Sequence, residues 1–365
     1  MRAKPLSWLH FGDLHITDAE QDNHRDFRVL IAQANEHLAG AVNFAMLPGD
    51  NADDGTEAQF RLVRDALDML RMPVHILPGD HDFKPRSLDG FHSILGADPL
   101  PKAITVAGYR CLFLDAVSAG TGGPDFRFGQ RQIEWLRREL EGSDNAVVFM
   151  HVYPADLQGE AAEVSALFRS HRVLAVDMGH THYNELSNDG VTIFAATRST
   201  GQIEEGPPGF SLAVIDDGVF SWRFKPLASP WPFVLITAPS DRRLVTDPDQ
   251  VVRSEFEVRA HAWSGEGIAR AECRLDDGAW REMEPVSGTP GWRASCPKQD
   301  RPFRLTVRVE DKAGGGDGET IEVAAGAYDP VERHADGSDK DALDSWPEKG
   351  IPGGQLGPNR NGRKW

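Results

Sequence analysis

Five short apolar runs along the first half of the chain each end in Asp or His. Trp8 to Phe11 leads into Gly12-Asp13-Leu14-His15, and Phe44 to Leu47 into Pro48-Gly49-Asp50-Asn51. Val74 to Leu77 leads into Pro78-Gly79-Asp80-His81-Asp82, Val147 to Met150 into His151, and Val173 to Met178 into Gly179-His180-Thr181-His182. A continuous apolar run of this length, closed by a turn, is the pattern of a buried strand. In an open α/β sheet, chemistry is delivered at the carboxyl ends of such strands. Between the runs the apolar spacing becomes helical. Phe27, Leu30, Ile31, Ala34 and Leu38 share one face of a helix over 24–38. Phe60, Val63, Leu67 and Leu70 do so over 56–71, behind a Thr56 cap. Two further helices are predicted over 130–140 and 160–168. Strand and helix alternating in this order predict right-handed crossovers and a layered α/β domain.

Beyond His182 the chain reads as strands over 191–195, 211–215 and 219–224, the last two joined through Asp216-Asp217-Gly218. They are expected to complete a second sheet. Ser229-Pro230-Trp231-Pro232 reads as a linker. After it, from 233 to about 325, the period changes to two, in short strands separated by Asp276-Asp277-Gly278 and Gly314-Gly315-Gly316. About seven short strands in ~95 residues predict an immunoglobulin-like β-sandwich, with Trp280 and Trp292 in its core. From Ala327 the chain is rich in Pro, Gly and charge, a composition of disorder, although Trp346 and Trp365 could anchor it on a surface or a second subunit. The expected division is 1–228, 233–326 and a tail over 327–365.

Composition narrows the function. A net charge of −17 argues against a general binder of nucleic acid or membrane surface, because a polyanionic partner is repelled. An acidic protein that handles an anionic substrate needs local positive charge, which bound metal ions supply. The three cysteines Cys111, Cys273 and Cys296 form no CxxC and read as buried thiols. No apolar stretch has the length of a signal h-region or a membrane span, so a cytoplasmic enzyme is expected.

Asp13, His15, Asp50, Asp80, His151, His180 and His182 are a mixed set of carboxylates and imidazoles. Such donors suit Mn, Fe or Zn rather than the all-oxygen shell of calcium. They outnumber the ligands of a mononuclear zinc site. Two metal ions sharing one carboxylate and a hydroxide would use them all, and would clamp a phosphoryl group for in-line attack. His81 is placed to stabilise the phosphoryl oxygens or to protonate the leaving oxygen. Each motif alone is weak, and their joint occurrence at strand ends carries the reading.

Taken in order, Asp13-Leu14-His15, Gly49-Asp50-Asn51-Ala52-Asp53, Gly79-Asp80-His81-Asp82, His151 and Gly179-His180-Thr181-His182 resemble the calcineurin-like metallophosphoesterase superfamily over about residues 5–225. The resemblance implies a four-layer α/β/β/α sandwich with a dinuclear centre. It implies that Asp13, His15 and His182 hold one metal ion, that Asp80, His151 and His180 hold the other, and that Asp50 bridges them. His81 would be the transition-state or leaving-group histidine. The arrangement is most similar to the cyclic-nucleotide phosphodiesterase branch.

The family usually carries Asn where this chain has Asp80. With Asp80, three carboxylates and a hydroxide cancel the charge of two divalent ions, whereas Asn would leave one positive charge. A less positive site should favour a diester monoanion over a monoester dianion, or favour a trivalent iron. Asn51 and Arg198 are further candidates for substrate contact, Arg198 through the bidentate fit of a guanidinium to phosphate. An ion pair of Arg198 with Glu204 or Glu205 is the competing reading. Asp82 is expected to orient a histidine from behind. The expected activity is metal-dependent hydrolysis of a small phosphodiester. A phosphomonoesterase is the alternative, and a non-catalytic scaffold binding a protein partner a more distant one. Neither nucleic acid nor membrane is expected as a partner. Self-association through the C-terminal region or tail is an open expectation.

Overall fold

The computed structural model describes residues 4–202, 205–328 and 341–352. In chain order its N-terminal part holds β1 (Leu6–Phe11), α1 (Asp22–His37), β2 (Phe44–Leu47), α2 (Glu57–Leu67), β3 (Val74–Ile76) and α3 (Asp89–Leu95). It continues with β4 (Lys102–Val106), β5 (Tyr109–Phe113), α4 (Gly129–Glu141), β6 (Ala146–Phe149), α5 (Ala161–Ser170) and β7 (Ala175–Met178). It ends with β8 (Glu185–Asn188), β9 (Ile193–Ala196), β10 (Gly209–Asp216) and β11 (Val219–Pro226). One sheet has the order β11-β10-β1-β2-β3 and the other β4-β5-β6-β7-β9-β8. Within them β1-β2-β3 and β5-β6-β7-β9 are parallel.

Both faces of β1, β2, β6 and β7 are covered, which is why they read as largely apolar runs. Between the sheets lies an aromatic layer. Trp8 of β1 meets Phe149 of β6 edge-on at 5.4 Å, and Phe44 of β2 meets Phe149 at 5.7 Å. The alternate residues of β1 face outwards, where Phe11 packs on Phe27 of α1 at 5.2 Å. Ile133 and Leu136 of α4 share a buried cluster with Leu112 and Val148 of the second sheet. The layers are therefore α/β/β/α, as the resemblance implied. Thr56 caps α2 in a reciprocal capping box with Gln59, also as expected. The hairpin β4–β5 and the helix α3 are additions that the apolar pattern did not show. β4 is half-exposed without clean alternation, and α3 is only 7 residues long.

Two four-stranded antiparallel sheets follow. One has the order Phe233–Ala238, Phe256–Trp263, Gly291–Cys296, Glu284–Pro285; the other has Arg281–Glu282, Ile268–Leu275, Phe303–Asp311, Gly316–Val323. Their core is aliphatic, with Val258, Leu305, Val307, Ile321 and Val323 buried. Trp280 is not in that core, contrary to expectation, and Trp292 packs against the core from its edge. Both are half-buried, and the Trp280 ring carries the guanidinium groups of Arg274 and Arg308. The stretch 229–232 is packed rather than loose. Trp231 stacks on His37 at 3.9 Å, and Arg223 of β11 pairs with Asp317 at 2.6 Å.

The tail needs a correction. Composition predicted disorder over 327–365, with Trp346 or Trp365 as candidate anchors, and residues 341–352 are docked through Trp346. Trp346 is buried under the Arg243 guanidinium, 3.3 Å from its ring centre, and Lys349 forms a buried ion pair with Glu319. Leu343, Trp346 and Ile351 supply the apolar area that makes docking favourable, and average composition hid Leu343 and Ile351 among Pro and Gly. Residues 329–340 and 353–365, Trp365 included, lie outside the described residues.

Candidate metal centre

The carboxyl ends of β1, β2, β3, β6 and β7 converge, and their five loops bring the expected residues together as two groups. Asp13, His15, Asp50 and His182 form one, and Asp50, Asp80, His151 and His180 the other; within each group the donor atoms lie within 4.8 Å of one another. Asp50 belongs to both. Its Oδ2 is 3.6 Å from His15 Nε2 and its Oδ1 is 3.5 Å from His151 Nε2, so each oxygen faces one group. Asp80 Oδ1 lies 3.3 Å from both His151 Nε2 and His180 Nδ1. His15 Nε2 and His182 Nε2 are 3.0 Å apart.

The backbone is strained where these side chains are presented. His15, Asp50, His180 and His182 have φ of 44°, 50°, 68° and 62°, a region non-glycine residues seldom enter. They are four of the nine such residues among those described. Strain of this kind persists only where the surroundings over-determine it, and it clusters at functional sites. Gly79 shows how tightly the loops are drawn together: a Cβ there would lie 2.1 Å from Asp50 Oδ1.

The donor set fits metal ions. Two imidazoles and two carboxylates in each group suit a first-row transition metal. Asp13 Oδ1 is buried with no hydrogen-bond donor. Burial pushes the Asp50 carboxyl up, and Asp80 and Asp13 add to the shift. Burial would lower His151, but Asp50, Asp80 and Asp13 outweigh it and carry its imidazole to about 10. For Asp80, burial is outweighed by the hydrogen bonds of His151 and His180, which hold its carboxyl down. The pocket therefore concentrates negative charge that a cation compensates.

Other atoms of the same imidazoles are tied down from behind. His151 Nδ1 bonds the Pro48 carbonyl at 3.0 Å, and His15 Nδ1 bonds Asp53 Oδ1 at 3.2 Å, leaving Nε2 of each for the centre. Gln202 Nε2 donates to the same Asp53 oxygen at 3.0 Å. The motif reading assigned neither Asp53 nor Gln202 a role, although Asp53 follows Asp50 by three residues within the motif. His81 Nδ1 donates to the Asp53 carbonyl at 2.7 Å, which sets its tautomer, and the half-buried ring meets His15 edge-on at 4.4 Å. Burial lowers the His81 pKa, and the neighbouring His15 adds to this. A further buried pair, His10 Nδ1 with Asp177 Oδ1 at 2.7 Å, links β1 to β7 beneath the centre. Its one sequence signal is a carboxylate inside the apolar run of β7.

Three expectations are corrected. Asn51 is fully buried and its amide donates to Leu77 O and Asp82 Oδ2, so it joins loops instead of lining a mouth. Asp82 orients no histidine. Its carboxylate accepts N–H groups from Gly79, Asn51 and Ala52. Arg198 is not free for phosphate. Its guanidinium donates to the carbonyls of Glu205 at 2.9 Å and Gly350 at 2.7 Å, and lies 4.3 Å from the Phe224 ring centre. The competing ion pair is present, with Glu205 at 3.5 Å, and it is buried.

Comparison with known proteins agrees with this geometry. Residues 6–184 match the sequence model of the calcineurin-like phosphoesterase family. The chain is 27% identical over 182 residues to the glycerophosphodiester phosphodiesterase GpdQ of Enterobacter lignolyticus, covering 46% of this chain and 64% of that protein. It is 25% identical over 190 residues to the 3′,5′-cyclic adenosine monophosphate phosphodiesterase CpdA of Escherichia coli K12, covering 48% and 66%. These matches thus span about two thirds of the relatives' length. Among solved structures, a dimetal phosphatase from Danio rerio superposes with a TM-score of 0.51 at 18% identity, covering 61% of this chain and 97% of that one, a likeness of fold.

Proposed function

Residues 6–184 form a calcineurin-like metallophosphoesterase domain, and from that premise we propose that this chain is a dinuclear-metal phosphoesterase acting on phosphodiesters. The observation that carries the reading is the pair of four-residue groups sharing Asp50, one carboxylate oxygen to each. Asp13, His15 and His182 would hold one ion and Asp80, His151 and His180 the other, with Asp50 available to both. When bound, two such ions activate water as a nucleophile near neutral pH and neutralise the phosphoryl oxygens. The protein's own part is positioning. Asp53 and the Pro48 carbonyl fix the His15 and His151 tautomers, so each imidazole offers Nε2 inward. His81, with Nδ1–H held by a carbonyl, keeps Nε2 for the substrate and gives its proton to the leaving oxygen. Burial lowers its pKa, so the protonated ring that donates from Nε2 is the minor form near neutral pH.

Two observations favour the diester. The relatives above are named as phosphodiesterases, and Asp80 adds a third carboxylate, which lowers the positive charge offered to a phosphate dianion. We assign residues 233–326 as an accessory immunoglobulin-like module, for which the two facing sheets are suited.

The test is metal analysis of the purified protein with a panel of bis(p-nitrophenyl) phosphate, p-nitrophenyl phosphate, a glycerophosphodiester and a cyclic nucleotide, each with added Mn²⁺. Turnover of diesters that is abolished by chelation and by Asp50→Ala is expected. Preference for the monoester would reassign the substrate class. Absence of both metal and turnover would leave a scaffold.

A further inference from the structure

The docked segment 341–352 touches both parts of the molecule at the level of the metal centre. We propose that it is a positioning strap, whose Gly350 carbonyl holds the loops that present Asp13 and His182. The effect on metal binding rests on the reading of the two groups as metal sites; the mechanical coupling does not.

The contacts form a short chain. Gly350 O accepts from Asn184 Nδ2 at 2.8 Å and from Arg198 Nη2 at 2.7 Å. Asn184 stands two residues after His182, and its Oδ1 accepts the Arg198 backbone N–H at 2.9 Å. From Arg198 the backbone runs against the Asp13 loop, so closely that a Cβ on Gly12 would lie 1.8 Å from Arg198 O. The next three residues grip Asp13: Ser199 Oγ, Thr200 N and Gly201 N all donate to the Asp13 carbonyl, at 2.8, 2.8 and 3.2 Å. Ser199 N donates to His182 O at 3.4 Å. One carbonyl of the strap thus holds the Arg198 side chain, and the residues that follow Arg198 bond the backbone of two residues of the first group. Nothing comparable reaches from the strap to Asp80 or His151 among the described residues.

The strap is itself anchored to the C-terminal sheets and to β8. Trp346 lies under Arg243, Lys349 is paired with Glu319, and Leu343 N donates to Leu186 O at 2.8 Å. Asn184 and Arg198 are buried, so withdrawing Gly350 O leaves two buried donors short of an acceptor that water cannot easily replace. Their release should be felt in the loops they hold. Gly350 has φ of +88°, and a Cβ there would lie 2.7 Å from Phe224 Cβ, so the strap has no room for a larger residue at this point.

Gly350→Val in the full chain tests the proposal. Hydrogen exchange of the metal-free protein should show the Thr200 and Gly201 amides at least roughly tenfold less protected, together with those of the strap. In chelator competition with Mn²⁺, one of the two ions should weaken by roughly 10–100-fold while the other changes little, the size expected for an outer-shell loss. A purely structural cover would lower thermal stability without that asymmetry. Trp346→Ala, which releases the strap from its other end, should repeat the pattern if the valine variant does not fold, and Trp346→Phe should restore protection. If the strap amides lose protection while Thr200 and Gly201 stay as in the wild type, the proposal is overturned. If the wild type binds no Mn²⁺, the metal reading fails, and the exchange measurement still decides the coupling.

Discussion

His15 is gripped from both sides, by the centre through Nε2 and by Asp53 through Nδ1, and Asp53 is the residue whose importance only the structure reveals. The hydrogen bond from His15 holds the Asp53 carboxyl well below the usual range, so it is an acceptor at every working pH. Asp53→Ala should weaken metal affinity by roughly 10–100-fold with the fold intact. Chelator competition followed by circular dichroism checks this, and unchanged affinity would refute the orienting role. Asp80 has the opposite history: the sequence singled it out by its charge, and the structure puts it between His151 and His180. Asp80→Asn should shift the ratio of kcat/KM for p-nitrophenyl phosphate over bis(p-nitrophenyl) phosphate upwards, since the added positive charge helps the dianion more. An unchanged ratio would sink the link between this carboxylate and diester preference.

At the scale of elements, the site is a meeting of strand ends, and what holds the loops together is as important as what they present. The Asp82 carboxylate accepts backbone N–H from Gly79, Asn51 and Ala52 and the Asn51 amide at 2.8 Å. Burial raises its carboxyl although these donors oppose the shift. Asp82→Ala leaves those donors buried without an acceptor and should cost roughly 3–5 kcal/mol. Urea unfolding of the metal-free protein measures it, and a loss under about 1 kcal/mol would show that water replaces the carboxylate. Strands β1, β2, β6 and β7 were legible because burial on both faces leaves mostly apolar runs, and β3 because its short run ends in the Gly79 turn. The hairpin β4–β5 was not, because an exposed edge strand relaxes that demand. Trp280 was misplaced because aromatic character marks a place to pack, and a stack between two guanidinium groups on an outer face satisfies it as well as a core does.

At the scale of the molecule, the C-terminal sheets are fused to the first domain through Arg223 with Asp317 and Arg259 with Asp216, each pair at 2.6 Å. His261 is buried at this junction, and burial lowers its pKa to about 4 from an ordinary 6.5. A depressed histidine favours the folded state above its unfolded pKa, and that stability is lost as pH falls from about 6.5 towards 4. The loss is on the order of 3 kcal/mol. Thermal unfolding of wild type and His261→Gln between pH 7 and 4 should show the gap between them narrowing or reversing on acidification. A gap independent of pH would mean that His261 titrates normally in the folded protein. Chelation should lower Tm in both, because ions bound only by the folded chain stabilise it by mass action.

The sequence by itself determined the candidate donor types, their order and the strands that deliver them. Short-range physics sets these: a buried strand must be apolar, and a metal needs carboxylates and imidazoles at its end. The joint pattern of Asp13, His15, Asp50, Asp80, His151, His180 and His182 is legible because all seven stand just after one of five apolar runs. Tertiary structure alone decided which partner each polar side chain meets. Arg198 had the right chemistry for phosphate and instead donates to the Gly350 carbonyl, 152 residues away in the chain. Asp82 is taken up by backbone amides, and Trp346, a candidate anchor in the sequence, finds its partner in Arg243. Hydrogen-bond satisfaction inside a folded chain depends on which groups are brought within about 3 Å, and that distance is a property of the fold, not of sequence separation.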